Sequence, residues 1–383
     1  MQLVINGSFW GQPNVGSGQY LHGLVRWLPQ VAPRHRYLLL TPAHGSEGPP
    51  PPPGVTLVRV RTPLDRVGRN LAKLAFEQVA MPYHAWQLTR RQGVALLLTP
   101  YFAPPLWSPL PTVTTVGDLI PLLLPEYRGG FHVRLYMALV RRAVRRSNHL
   151  LTFSNHSRTD ILRNLHIPAQ QVTAIFLAPS EHYCLGDRAA ARDYVARRYG
   201  IGGPFIYYVG GLDARKNVTM LIRAFALLRG RGVQATLVIA GRALGRDRQL
   251  FPDLDAMIAD MELGLSVRRV EVSYEEGPLF YRACTIFAFP SRYEGFGLPP
   301  LEAMACGAPV VVSDASSLPE VVGPAALRVA PDDLVGWAAT LGRLLGDAEL
   351  REELSTQGLT HVARFSYQRV AEQTIALLER IVG

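Results

Sequence analysis

Cysteine is scarce. Cys184, Cys284 and Cys306 are widely spaced, form no Cys-x-x-Cys pair and cannot all pair within the chain. This excludes a disulfide framework and a cysteine-built zinc site, and points to a reducing, cytoplasmic setting. Lysine is scarcer still: of 40 basic residues only Lys73 and Lys216 are lysines, which raises the question of why position 216 departs from the arginine background. Long apolar runs are missing. No stretch is continuous enough to span a bilayer, and residues 1–10 lack a basic leader followed by an apolar segment, so the chain reads as soluble or peripheral. Metal-ligand spacing is absent as well. His132, His149, His156 and His166 are separated by irregular gaps and read as structural. Asp253-Leu254-Asp255 has the shape of a metal-binding carboxylate pair, but it opens a helical pattern and reads as a cap.

What is present suits a two-domain α/β protein. A chain of 383 residues exceeds one ordinary core. With 48% apolar residues, 34 Gly and 30 Pro, it fits a globular fold rich in strand-to-helix turns. The net charge of +10 favours anionic partners without choosing among them.

Short apolar runs recur at Leu3–Ile5, Tyr37–Leu40, Val55–Val60, Val94–Leu98, Val113–Val116, Leu150–Phe153 and Val172–Leu177. Helical patterns lie between them near 18–29, 69–90 and 131–146. A second set follows at Phe205–Val209, Ala235–Ala240, Val267–Val272, Thr285–Pro290, Pro309–Ser313 and Ala326–Val329. Alternation of this kind predicts parallel sheets wrapped by helices. The expected division is a first domain over 1–180, a connection over 181–203, a second domain over 204–365 and a terminal amphipathic helix over 366–383 that returns toward the first domain. The run Pro49–Pro53 reads as a stiff surface loop.

Ligands of doubly wound sheets bind beyond the carboxyl ends of strands, so the polar residues there are the ones to inspect. After Phe205–Val209 comes Gly210-Gly211-Leu212-Asp213-Ala214-Arg215-Lys216-Asn217. Two adjacent cations before a helix make either an anion site suited to a diphosphate or a loop with solvated charges. After Thr285–Pro290 comes Ser291-Arg292-Tyr293-Glu294-Gly295-Phe296-Gly297-Leu298-Pro299-Pro300-Leu301-Glu302. Its glycines let backbone approach a ligand, its prolines suit a first helical turn, and its two carboxylates can accept from a polyol. The alternative is a turn residue and a surface helix residue.

This second segment resembles glycosyltransferase family 4, and the resemblance covers most of the chain. It rests on Glu294 and Glu302 with seven residues between them, on Pro309-Val310-Val311-Val312-Ser313-Asp314, and on Leu318-Pro319-Glu320-Val321. The segment Asp118-Leu119-Ile120-Pro121 with Pro125-Glu126 resembles a subgroup rich in mannosyltransferases. The resemblance implies the GT-B fold, with two Rossmann-like doubly wound domains facing a central cleft. It also implies retaining transfer of a hexose, mannose from GDP-mannose foremost, to a glycan or lipid-diphosphate-linked acceptor in cell-surface polysaccharide synthesis. The alternatives are a UDP-sugar-dependent transferase of the same family and a non-catalytic protein that binds a sugar nucleotide.

By the same resemblance Arg215, Lys216 and Glu294 are catalytic, and Glu294 holds the donor-sugar hydroxyls while Glu302 holds the ribose. Gly211, Gly295, Phe296, Gly297 and Leu298 complete the donor site. Gly16, Ser17, Gly18 and Asp118 lie on the acceptor side. As a dinucleotide fingerprint Gly16-Ser17-Gly18 fails, because Leu21 takes the place of the third glycine. One departure stands out: many relatives carry His directly before the aspartate of Asp-Leu-x-Pro, and here that place is Gly117. No metal and no other cofactor is expected, nor a nucleic-acid partner. The stretch Arg134–Arg146, basic and partly amphipathic, reads either as solvated surface or as a contact for an anionic membrane.

Overall fold

The computed structural model describes residues 1–383 apart from 14, 44–46, 91, 92, 128, 244 and 246, and at 69 the backbone alone. Contacts divide it into two units. Unit 1 comprises Met1–Leu177 with Ser366–Gly383, and unit 2 comprises Ala178–Phe365.

Unit 1 holds β1 (Gln2–Asn6), β2 (Arg36–Pro42), β3 (Val55–Val60), β4 (Ala95–Thr99), β5 (Thr112–Thr115), β6 (His149–Thr152) and β7 (Val172–Ala174). They form one sheet in the order β3-β2-β1-β4-β5-β6-β7, and every pairing is parallel. The sequence explains the placing. β1 and β4 are buried along their whole length, as apolar strands with helices on both faces must be, whereas β3 is buried only at its two ends and stands at the edge. Val4, Leu38, Leu97, Phe76 and Met81 pack one side of the core. Val116, Val140, Val144, Leu150 and Ile161 pack another.

Unit 2 holds β8 (Phe205–Val209), β9 (Thr236–Ala240), β10 (Val267–Val270), β11 (Ile286–Phe289), β12 (Val310–Ser313) and β13 (Leu327–Val329). These run parallel in the order β10-β9-β8-β11-β12-β13. Tyr207, Phe280, Tyr281 and Phe287 form an aromatic core against β8 and β11. Both sheets are doubly wound and Rossmann-like, as the alternation of runs implies.

Two boundaries differ from expectation or refine it. The stretch 181–203 does not serve only as a connection: it forms the helix Arg188–Tyr199, whose first amides, at Ala189 and Ala190, donate to Asp187. That helix packs on the helix Gly277–Ala283 within unit 2. Its alanine and arginine content leaves no apolar stripe for the eye, so the cap is the stronger signal. The terminal helix Tyr367–Val382 starts on Ser366, which accepts from the Arg369 amide, and packs on the helix Gly16–Val31 inside unit 1. At its far end Glu379 accepts from His35 at 2.6 Å and Arg34 at 2.5 Å.

Candidate functional site

In unit 2 the strand order reverses between β8 and β11, and the segments leaving these two strands meet. Arg215 and Lys216 lie on the 3-10 turn Ala214–Lys216 that follows β8, and Asn217 closes that turn in the left-handed region with φ 57°. Glu294 lies in the loop after β11. Its Oε1 is 2.7 Å from Lys216 Nζ and 3.1 Å from Arg215 Nη1. Arg215 also donates from Nη1 to the Tyr293 carbonyl at 2.7 Å and stands 3.4 Å from Asp213, while the Lys216 ammonium sits 5.0 Å above the Phe289 ring. Gly211 is adjacent: a Cβ there would come within 2.8 Å of Asp213 Oδ2.

The loop that carries Glu294 is pinned from below. Ser291 Oγ donates to Glu294 Oε1. The Glu294 amide donates to Ser316 Oγ at 2.9 Å, and Ser317 Oγ donates to the carbonyls of Glu294 and Phe296 at 2.9 and 2.7 Å. Ser316 and Ser317 follow β12, so a third strand end serves the same loop. The sequence reading missed all three serines. The signal was available, since the rule that sites lie beyond strand ends applies to β12 as well.

Gly297, with φ 110°, turns the chain into the helix Leu298–Ala305, a backbone angle that suits glycine. Gly295, Phe296 and Gly297 are buried and Leu298 is half-buried. Pro299 and Pro300 occupy the first turn and carry no N–H, so the amides of Gly297 and Leu298 are the donors this helix start supplies.

The two glutamates are both buried, at 9% and 7% exposure for Glu294 and Glu302, yet their surroundings push them opposite ways. Burial raises Glu294, but Lys216 and Arg215 outweigh it and hold its carboxyl below the usual range. Among the described residues no cation stands beside Glu302. Burial pushes its carboxyl up to about 7, against the pull of the Tyr281 hydroxyl that donates to Oε2 at 2.9 Å. Arg215, Lys216, Gly211 and Glu294 are therefore brought together, and Glu302 stands on the next helix with its own partner, Tyr281.

In unit 1 Gly16 and Ser17 open the helix Gly16–Val31. Gly18 is fixed by close approach, because a Cβ there would lie 1.8 Å from the Gln12 carbonyl oxygen. Asp118 accepts from the Ile120 amide at 3.0 Å, a turn-forming contact. Gly117 has a packing reason: a Cβ would approach Phe153 to 2.9 Å, and Phe153 is itself held edge-on against Tyr20. The basic stretch forms the helix Phe131–Val144 and its exit. Arg134, Arg141, Arg142, Arg145 and Arg146 line a groove of 840 Å³ with Asn164, Pro121, Leu122, Met137 and Ala138, and among the described residues no Asp or Glu lines it. Among the described residues no three His, Cys, Asp or Glu side chains gather as a metal site. No helix among them is long and apolar enough to cross a membrane.

The family model described as glycosyl transferases group 1 matches residues 198–361, the part of unit 2 that contains Arg215, Lys216, Glu294 and Glu302. The chain is similar to the O-antigen chain mannosyltransferase B of Escherichia coli, 32% identical over 264 residues that make up 69% of this chain and 68% of that protein. It is also similar to the serotype-specific mannosyltransferase WbdA of Escherichia coli, 28% identical over 283 residues, 72% of this chain but 34% of that longer protein. Among solved structures, a sucrose-phosphate synthase from Thermosynechococcus elongatus superposes with a TM-score of 0.76 at 21% identity, covering 100% of this chain and 99% of that one.

Proposed function

Since the chain belongs to the group 1 glycosyl transferases, of the family 4 type with the GT-B fold, we propose that it is a retaining, metal-independent hexosyltransferase that moves mannose from GDP-mannose to a glycan or lipid-linked acceptor in cell-surface polysaccharide synthesis. The observation that carries this reading is the convergence of Lys216 and Arg215 on the buried Glu294 at the β8/β11 reversal. The relatives named for mannosyl transfer support mannose as the sugar.

Breaking the anomeric bond leaves negative charge on the diphosphate and positive character on the sugar. Arg215 and Lys216, with the amides of Gly297 and Leu298, stabilise the first, in a partly buried setting where such terms are large. A divalent metal does this work in other nucleotide-sugar sites; here two side-chain cations do it. When the diphosphate takes over the two cations, Glu294 is released to accept from the sugar hydroxyls, still aimed by Ser291, Ser316 and Ser317. Glu302 accepts from the ribose. The acceptor hydroxyl attacks the face from which the nucleotide leaves, and the departing phosphate takes its proton, so no carboxylate nucleophile is needed. Gly16, Ser17, Gly18 and Asp118 serve the acceptor side. The arginine groove of the helix Phe131–Val144 rests on an anionic membrane surface, which makes the protein a peripheral cytoplasmic one.

The test is a calorimetric and thermal-shift panel of GDP, UDP, ADP and TDP sugars and their bare nucleotides. GDP-mannose should bind more tightly than GDP, and E294A should reduce its affinity to that of GDP. Preference for a UDP sugar would replace the donor and keep the mechanism. Equal loss of sugar nucleotide and bare nucleotide in E294A would remove Glu294 from the sugar.

A further inference from the structure

The chain has two lysines, and each pairs with a buried glutamate beside the point where a sheet reverses its strand order. Lys216 does so with Glu294. Lys73 does so in unit 1, its Nζ 3.7 Å from Oε1 of Glu77, the lysine side chain 44% exposed and the glutamate 0%. The reversal there lies between β1 and β4, and Glu77 is tied to both strand ends. Tyr101, just past β4, donates from its hydroxyl to Glu77 Oε1 at 2.8 Å. Asn6, the last residue of β1, donates from Nδ2 to the same Tyr101 hydroxyl at 3.0 Å. Ser8 Oγ donates to Asn6 Oδ1 at 2.8 Å and lies 3.0 Å from the Tyr101 hydroxyl. Tyr136 donates to the other carboxylate oxygen, Oε2, at 3.2 Å.

Glu77 occupies a π-helical turn, Phe76–Ala80, set between the helices Arg69–Ala75 and Met81–Thr89. Such turns are rare and concentrate at functional sites. The next residue, Gln78, reaches the same strand exit: it donates to the Pro104 carbonyl at 3.2 Å and accepts from the Leu106 amide at 2.8 Å. Burial raises the Glu77 carboxyl above its ordinary value, and the Lys73 ammonium with the Tyr101 and Tyr136 hydroxyls pulls against that rise; when Glu77 is ionised, each donor in the chain of contacts has an acceptor and Lys73 stands opposite the charge. Asn6, Glu77 and Tyr101 are buried, whereas Lys73, Ser8 and Tyr136 are only partly so.

We propose that Lys73, Ser8 and Tyr136, held in place by the buried Glu77, form a hydroxyl-binding subsite for an uncharged sugar residue of the acceptor. This deepens the transferase reading and rests on it. Charge selects the ligand class. An ammonium already balanced by a carboxylate offers directed donors without net charge, which suits a polyol; the groove with five arginines and no acid suits a phosphate. Glu77 is a positioning residue, since it is too deep to touch a ligand.

The experiment uses the full chain in the presence of GDP and measures binding of methyl α-D-mannopyranoside by saturation-transfer NMR, with inorganic pyrophosphate as the second probe. The wild type should bind the glycoside. K73M and S8A should each weaken it about 10-fold with GDP affinity unchanged; S8A should keep its Tm, whereas K73M leaves the buried Glu77 without its cation and lowers Tm. K73R keeps the charge opposite Glu77 but replaces a point-like ammonium by a planar fork; it should keep the wild-type Tm and still lose the glycoside, which a merely structural role would not produce. E77Q should weaken the glycoside as K73M does.

Wild-type glycoside binding by K73M would overturn the proposal. So would failure of the wild type to bind the glycoside, pyrophosphate binding that depends on Lys73, or glycoside loss that only tracks a falling Tm. Should GDP-mannose not bind while K73M still loses the glycoside, the donor reading fails and the subsite stands by itself as a glycan site.

Discussion

The two units follow one sheet rule and place their charge in contrasting ways. In unit 2 the cations of the site are matched to a buried carboxylate, and the ring of contacts around Glu294 is closed by serines from a third strand end. In unit 1 the arginines of the helix Phe131–Val144 and its exit line an open groove to which no Asp or Glu among the described residues contributes. Exposed apolar side chains show the same asymmetry. Leu71, Val79, Trp86, Trp107, Phe131 and Leu135 are all exposed in unit 1, and Arg146 donates to the carbonyl just before Trp107. Matched charge with a closed backbone suits discrimination of one small molecule, while unmatched charge beside exposed aromatics suits a broad anionic, partly apolar surface.

The sharpest way to break this contrast is to remove the unit 2 cation. K216A should lower turnover by roughly 10²–10³-fold if the ammonium stabilises the leaving diphosphate, with the fold intact by circular dichroism; near-normal transfer would mean the matched pair is only structural. Next comes the buried carboxyl that lacks a cation. Burial holds Glu302 near 7, above the ordinary 4.5. Across that window the unfolded chain loses the proton and the folded chain keeps it, so the unfolded state binds fewer protons and ligand-free stability falls as pH rises from about 4.5 to about 7. The full effect is roughly 3 kcal/mol. Urea midpoints at pH 5 and 8 should differ in this direction for the wild type, and E302Q should shrink the difference, leaving the part that belongs to Glu77, which burial also raises.

A smaller change is expected on the other unit. Replacing Arg141 and Arg142 together by Ala should weaken binding to phosphatidylglycerol vesicles by about 2 kcal/mol, near 1 kcal/mol for each arginine. Binding to phosphatidylcholine vesicles and affinity for GDP-mannose should not change. Equal retention on both vesicle types would make the groove ordinary solvated surface. The smallest effect belongs to Ser317. S317A removes one buried hydroxyl that holds two carbonyls of the Glu294 loop, and should cost about 1 kcal/mol of stability with a few-fold loss of sugar-nucleotide affinity. An unchanged affinity would show that the loop holds its shape without that hydroxyl.

The inner strands were legible because each is a short apolar run buried on both faces, and the runs at Leu3–Ile5 and Phe205–Val209 fall within β1 and on β8. The helices that escaped notice, Arg188–Tyr199 and Ala348–Val362 among them, lack an apolar stripe; the helix after Asp253 was legible from its cap, whose side chain accepts from the Ala256 amide. Arg215, Lys216 and Glu294 could be picked out because each follows a strand end. Tyr281 could not, since what gives it meaning is Glu302, a neighbour from another part of the chain; Ser316 and Ser317 follow β12 and were open to the same strand-end rule. The Glu77 network was hidden for a further reason: a π turn breaks the 3.6-residue period from which a buried face is read.

The terminal helix has a consequence for how the protein is made. Unit 1 is assembled from both ends of the chain, Met1–Leu177 and Ser366–Gly383, whereas unit 2 is continuous. A ribosome therefore delivers all of the later domain before it delivers the last piece of the earlier one, and until Tyr367–Val382 emerges the helix Gly16–Val31 lacks its covering partner. A stop codon at position 366 would leave Ala178–Phe365 whole and unit 1 without the helix that covers Gly16–Val31.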